Sequence, residues 1–168
     1  MQLANYTFRV VGPDNEAQLQ ELLESDSDFF KITNGEPPGP GAAKSLLSDL
    51  PEAKGNHDKF VYAVFDHSGA LIAVFDLVRG YPDDKTWFLG FLFVVPNNRN
   101  VGLGSHLLEA ICAHVKQSDG AALRLGVVRE NFRARALYDR TGFRFLYERQ
   151  RTHANGLTRI IDVLERTL

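Results

Sequence analysis

The chain has one cysteine, Cys112, in 168 residues, which excludes an internal disulfide and any metal site built from several thiolates. No apolar run approaches the ~18 to 20 residues of a membrane helix, and even the most apolar stretch, Trp87 to Val95, falls far short. The start, Met1-Gln2-Leu3-Ala4-Asn5, lacks the basic flank and apolar stretch of an export signal, so a cytoplasmic protein is expected. Excess charge is missing as well. The 19 basic and 21 acidic residues give a net −2, whereas a domain that binds nucleic acid is clearly basic. His57, His67, His106, His114 and His153 show no metal-ligand spacing, and no metal is expected. Repeats and low-complexity segments are absent, and nothing points to a membrane partner.

What is present suits one globular domain over residues 1–168, with 44% hydrophobic residues, able to bury about two-thirds of its unfolded surface. The small net charge hides a split. Residues 1–84 hold six basic and fourteen acidic residues, and residues 85–168 hold thirteen and seven. Such asymmetry marks two surfaces for partners of opposite charge.

Tyr6 to Val11 reads as a first strand, stopped by Gly12-Pro13, and Asp14 can cap a helix to about Glu24. Asp26 to Gly41 contains Gly35-Glu36-Pro37-Pro38-Gly39-Pro40-Gly41 and reads as one long loop, which in a compact domain is functional or mobile. A short helix follows over Ala42 to Asp49. Phe60 to Phe65 and Leu71 to Phe75 are rich in strand formers and flank the turn signal Ser68-Gly69, which makes them a hairpin. Trp87 to Val95, nearly all apolar, reads as a strand buried on both faces. Leu103, Leu107, Leu108, Ile111, Cys112 and Val115 recur at helical spacing. Ala122 to Val128 is another strand, Asn131 to Arg140 another helix, and Phe143 onward a strand that Asn155-Gly156 turns back into one over Ile160 to Leu164. The class is α/β (α+β with a mixed sheet) in the order β-α-α-β-β-β-α-β-α-β-β, a central twisted sheet flanked by helices.

The sharpest local feature is Pro96-Asn97-Asn98-Arg99-Asn100-Val101-Gly102-Leu103-Gly104-Ser105, between a strand and an amphipathic helix. A glycine-rich turn there presents unpaired N–H groups and the positive end of the helix dipole to phosphate oxygens. Gly102 and Gly104 leave out the Cβ atoms that would keep a diphosphate away. A P-loop would end in Gly-Lys-Ser/Thr, and here the run is Gly-Leu-Gly-Ser. A dinucleotide fingerprint would add a third glycine and open the chain's first βα unit. Beyond the next strand, Asn131 and Tyr138 are about two helical turns apart and share a face.

Arg99-x-x-Gly102-x-Gly104 together with Asn131-x-x-Ala134-x-x-Leu137-Tyr138-x-x-x-Gly142-Phe143 resembles the GNAT superfamily of acyl-CoA-dependent N-acyltransferases over residues 87–145. The resemblance implies acetyl-CoA as co-substrate. Its diphosphate would lie on the amides of Val101, Gly102, Leu103, Gly104 and Ser105, with Arg99 and Asn100 shaping the loop. The main chain of Phe93, Val94 and Val95 would run beside the pantetheine arm. Asn131 would add a polar contact, beside its use as a helix cap. One or two of the arginines at 129, 133, 135, 140 and 144 would meet the adenosine 3′-phosphate. Tyr138 matches the tyrosine that in many members lies near the cofactor sulfur, where it would act as general acid to the departing thiolate.

Many members carry a glutamate on the strand before the phosphate loop, and Trp87 to Val95 has no carboxylate. Asp76, an acid among apolar neighbours, is the candidate base, with relay through water as the alternative. Asp28 and Glu36 in the long segment are candidates to read the acceptor. The implied activity is acetyl transfer to a primary amine by direct attack, the acidic amino-terminal half suiting a cationic acceptor. The alternatives are an acyl-CoA-binding or interaction module without catalysis, and a nucleotide-binding protein.

Overall fold

A computed structural model describes every residue except Gln2 and Ala4, so that part of the amino-terminal reading lies outside the described residues. β-branched and aromatic residues dominate the central strands, and they build one seven-stranded sheet. The strands are β1 (Thr7–Val11), β2 (Lys59–Phe65), β3 (Leu71–Val78), β4 (Thr86–Val94), β5 (Ala122–Val128), β6 (Arg144–Thr152) and β7 (Thr158–Thr167). Their spatial order is β1-β2-β3-β4-β5-β7-β6. All neighbours are antiparallel except β4 and β5. The helices are α1 (Glu16–Glu24), α2 (Ser27–Asn34), α3 (Ala42–Ser48), α4 (Leu103–Gln117) and α5 (Phe132–Arg140).

Successive strand residues face opposite sides of a sheet, and here each side meets its own helices. Tyr62, Phe75 and Leu89 pack with the α4 stripe of Leu103, Leu107 and Ile111. Val61, Val74 and Phe93 pack with Leu19 and Leu23 of α1 and Phe30 of α2. Every residue of the α4 stripe is buried, each large aliphatic one contributing about 1.5–3 kcal/mol. Among the described residues no helix is long and apolar enough to cross a membrane.

Three sequence expectations change. Asp14 does not cap a helix, because Pro13–Asn15 forms a 3-10 turn and α1 begins at Glu16 without a side-chain cap. The long loop is half helix. The Asp26 carboxylate accepts from the amides of Asp28 and Phe29 at 3.1 and 3.3 Å, which starts α2, and Gly35 ends it in the left-handed region at φ 85°. The element order therefore gains one helix. Finally, β4 is not buried on both faces along its length: Phe93 is fully buried, but Gly90 is exposed and Phe91 and Leu92 half-buried.

Candidate active site

The opening along β4 has a local cause. Asp76 of β3 pairs with Phe91 and Leu77 pairs with Leu89, so Gly90 is an extra residue, a bulge that bends the strand. The parallel pairing of β4 with β5 runs from Thr86↔Ala122 to Leu89↔Leu125 and ends at the bulge. Beyond it the strands part around a cavity of about 880 Å³, lined there by Gly90, Leu92, Val127, Asn131 and Tyr138.

In an antiparallel ladder alternate residues turn their main-chain groups toward the partner strand. The Val95 amide donates to Ile72 O at 3.0 Å, so Val95 and Phe93 face β3, while Leu92 and Val94 face the gap. The Val94 carbonyl already accepts from Arg99 Nε at 2.6 Å. Of the stretch expected to offer its main chain, Phe93 and Val95 are therefore excluded. The free groups belong to Leu92 and the Val94 amide, and the sequence reading missed Leu92.

The loop after β4 turns over Pro96–Asn98 and passes through positive φ at Asn100 (63°) and Gly102 (85°), conformations open to asparagine and glycine. Past Arg99, whose amide donates to Pro96 O at 3.1 Å, the next amide to bond within the chain is that of His106, to Gly102 O at 3.1 Å. Among the described residues the amides from Asn100 through Ser105 donate to nothing. They sit at the positive end of α4, a concave donor array suited to phosphate oxygens.

Leu103, buried in the core, anchors this turn. A Cβ on Gly104 would lie 3.1 Å from Leu137 Cδ2, so this glycine also sets the approach of α5. Arg133 Nη2 donates to Asn100 Oδ1 at 2.8 Å, and Arg140 Nε reaches Ser105 Oγ at 3.5 Å. Arg129 and Arg135 are instead tied to Asp162. Arg99 braces the loop from behind: besides Val94 O it meets Asp26 at 2.6 Å, an ionic contact rather than an aligned hydrogen bond, and lies 5.5 Å over the Phe93 ring. Burial opposes ionisation of Asp26. The contact and charge of Arg99, with the two α2 amides, outweigh it and hold the carboxyl below its usual range.

Asn131 and Tyr138 line the same cavity. The Asn131 Oδ1 caps α5 by accepting from Ala134 N at 3.1 Å, which leaves its NH₂ available. The Tyr138 ring packs edge-on against Phe143 at 5.7 Å, and burial pushes its phenol up to about 12. The hydroxyl therefore stays protonated at neutral pH.

Asp76 lines the cavity from β3. One oxygen is paired with Lys59, itself buried, whose ammonium also donates to Asp49 O at 2.8 Å. The other oxygen has no hydrogen-bond partner among the described residues and lies where a side chain on Gly90 would be, 2.7 Å from that ideal Cβ. Burial raises this carboxyl, and the charge and hydrogen bond of Lys59, with the nearby amides of Phe91 and Gly90, only partly oppose it. Sequence reasoning missed Lys59, since only the register of β2 against β3 brings it there.

Two segments are joined at the far end of the cavity. Asn155 Nδ2 donates to Asn34 O at 3.1 Å and Arg159 Nη2 to Lys31 O at 3.2 Å, which ties the β6–β7 hairpin to α2. Glu36 lines the cavity there, but Asp28 does not. Asp28 sits on the outer side of α2 with its side chain 84% exposed, paired with Lys31 at 3.1 Å. It is removed from the acceptor set because its position is helical rather than in a loop. Cys112 is buried, and burial pushes its thiol up to about 11, so it is no nucleophile.

Residues 19–143 match the model of the Acetyltransferase (GNAT) family. No curated protein matches the chain in sequence. An acetyltransferase from Thermus thermophilus superposes with TM-score 0.79 at 20% identity, covering 100% of both chains. Spermidine N-acetyltransferase from Vibrio cholerae, solved with CoA and spermine, gives TM-score 0.76 at 15% identity, covering 98% of this chain and 96% of that one. The ribosomal-protein-S18-alanine N-acetyltransferase from Escherichia coli gives 0.71 at 17% identity, covering 96% and 93%. At these identities the structures establish a shared fold, a mixed sheet flanked by helices.

Proposed function

The chain belongs to the acetyltransferase (GNAT) family, and from that premise we propose that it moves the acetyl group of acetyl-CoA to a primary amine by direct attack. The observation that carries the proposal is the run of unpaired Asn100–Ser105 amides in the turn that follows β4, the strand whose pairing with β5 stops at Leu89. The residues present fit such a co-substrate. The loop amides offer donors for its diphosphate, and the Leu92 main chain and Val94 amide offer partners for the amide-bearing arm. Arg133 and Arg140, beside the loop and without a carboxylate partner among the described residues, are the arginines nearest its phosphates. Acetyl-CoA, when bound, supplies the thioester carbonyl carbon that is attacked.

The chain's own groups then act on one proton and on the leaving sulfur; the second proton, shed by the attacking nitrogen as the C–N bond forms and the C–S bond breaks, ends on the departing sulfur. An ammonium must lose one before its nitrogen can attack, and the free Asp76 oxygen receives it, directly or through a water, while Lys59 holds the other oxygen. A carboxyl raised by burial is a better match for that task than an exposed one. Tyr138 stands by the leaving sulfur. Its phenol at about 12 holds its proton more tightly than an ordinary thiol at ~8.5, so Tyr138 stabilises the thiolate by donating a hydrogen bond. Glu36 meets the incoming amine at the cavity rim.

The test is thiol release from acetyl-CoA in the presence of a panel of primary amines, with the product weighed by mass spectrometry. Release that depends on the amine, with one acetyl group gained by it, is expected. Binding of acetyl-CoA with no release for any amine would leave only an acyl-CoA-binding module.

A further inference from the structure

The charge on the cavity walls does not follow the charge split along the chain. β6 belongs to the basic half, and its residues Tyr147, Arg149, Gln150 and Arg151, with His153 just beyond it, reach the cavity lining. Arg124 and Arg159 are matched by Glu165 and Glu130, and Lys59 by Asp76. Arg149 and Arg151 have no carboxylate and no hydrogen-bond acceptor among the described residues. Beside them, His153 Nε2 is buried without a partner. Burial and the charges of Arg151 and Arg159 lower the pKa of that imidazole, with Glu36 opposing, which places all four groups within electrostatic reach. The acids of the lining that remain unmatched are Glu36, at the same end of the cavity as His153, and Asp49.

We propose that the acceptor is a small amine that also carries an anionic group, a carboxylate or phosphonate, received by Arg149 and Arg151 with a hydrogen bond donated by the His153 imidazole. The proposal rests on the acetyl-transfer reading above and gives the acceptor its class. Two guanidinium groups on one strand face suit a planar or tetrahedral oxyanion. The β6–β7 hairpin and α2 are tied together at that end of the cavity, so the two arginines stand on a held wall. A wholly cationic acceptor would instead meet two unneutralised positive charges.

The experiment compares thiol release with phenylalanine, methionine and glutamate against their own carboxamides. 2-Aminoethylphosphonate serves as the phosphonate arm and spermidine as the wholly cationic one. The wild-type protein should favour an anionic amine over its neutral partner by about tenfold or more in kcat/KM, as charge-assisted hydrogen bonds would give. In Arg149→Gln/Arg151→Gln that preference should collapse toward one through the KM of the anionic amine, with the KM for acetyl-CoA retained. Arg149→Lys/Arg151→Lys should restore part of it. Carboxamides or spermidine used as well as the anionic amines, or a preference unchanged in the double Gln variant, would overturn the proposal while leaving acetyl transfer standing. No release with any amine, despite bound acetyl-CoA, would overturn both.

Discussion

Lys59 and Asp76 form a pair with side chains only 5% and 7% exposed, and the consequences of breaking it can be worked out. Removing one partner of a buried pair costs about 3–5 kcal/mol, because the other charge is left without compensation. Lys59→Met should therefore lower the melting temperature by roughly 6–20 °C, at about 2–4 °C per kcal/mol for a chain of this size. Asp76→Asn should cost a similar amount, since the Lys59 ammonium would then face an amide. The double variant leaves only an under-satisfied amide, at about 1–3 kcal/mol, so the two single losses should be far from additive. Urea unfolding of the four proteins gives the cycle. The Lys59→Met loss should also depend on pH. A carboxyl whose folded pKa is raised binds its proton more tightly in the folded state, so its contribution is complete below the unfolded value of ~3.9 and is lost as pH rises through the folded one. The variant should therefore lose least in acid. Single losses that add, or a Lys59→Met deficit that grows on acidification, would refute the reasoning.

Four further outcomes are expected. Gly104→Val puts a branched side chain between the loop and Leu137 and should reduce acetyl-CoA affinity at least tenfold by calorimetry in a protein whose circular dichroism is unchanged; retained affinity would remove the loop from the diphosphate site. Tyr138→Phe should lower kcat by roughly 100-fold or more, the scale of a positioned hydrogen-bond donor to developing charge, with little change in acetyl-CoA affinity, read under conditions where chemistry limits turnover. Glu36→Gln should raise the acceptor KM whereas Asp28→Asn should leave it alone, and steady-state kinetics with equal effects would void the placement of both. Asp26, held below its usual range, contributes stability above the unfolded value of ~3.9 that is lost as pH falls through its folded value; Asp26→Ala should therefore flatten the acid limb of a melting-temperature profile.

Most elements were legible because their signals are local. The α4 stripe, the β2–β3 hairpin and the turn at Asn155-Gly156 each depend on residues a few positions apart. α2 was hidden by its neighbours: the glycines and prolines of 35–41 dominate the segment, although Asp26 as cap and Gly35 as stop were both present in sequence. The turn before α4 was readable from two glycines and their place before a helix. The walls of the site were not. Whether Leu92 or Phe93 faces the gap is a matter of parity in a ladder whose register is set by β3. The split itself depends on where parallel pairing with β5 stops, and an apolar run reads the same on either side of that point. Lys59 and Asp76 likewise become neighbours only once two strands are aligned.

β6 closes one margin of the sheet, with every residue from Arg144 to Thr152 exposed. Its outer row of amides and carbonyls has no neighbour among the described residues, and Phe145, Leu146 and Tyr147 are each more than 40% exposed. A strand with that profile invites another to pair with it, and charge along the strand is a common deterrent. The arginines that face the cavity are also part of that deterrent, so converting both to glutamine lowers the barrier to self-association. Sedimentation of the glutamine and lysine variants side by side would separate the two consequences, because lysine keeps the charge that discourages pairing while giving up the guanidinium fork.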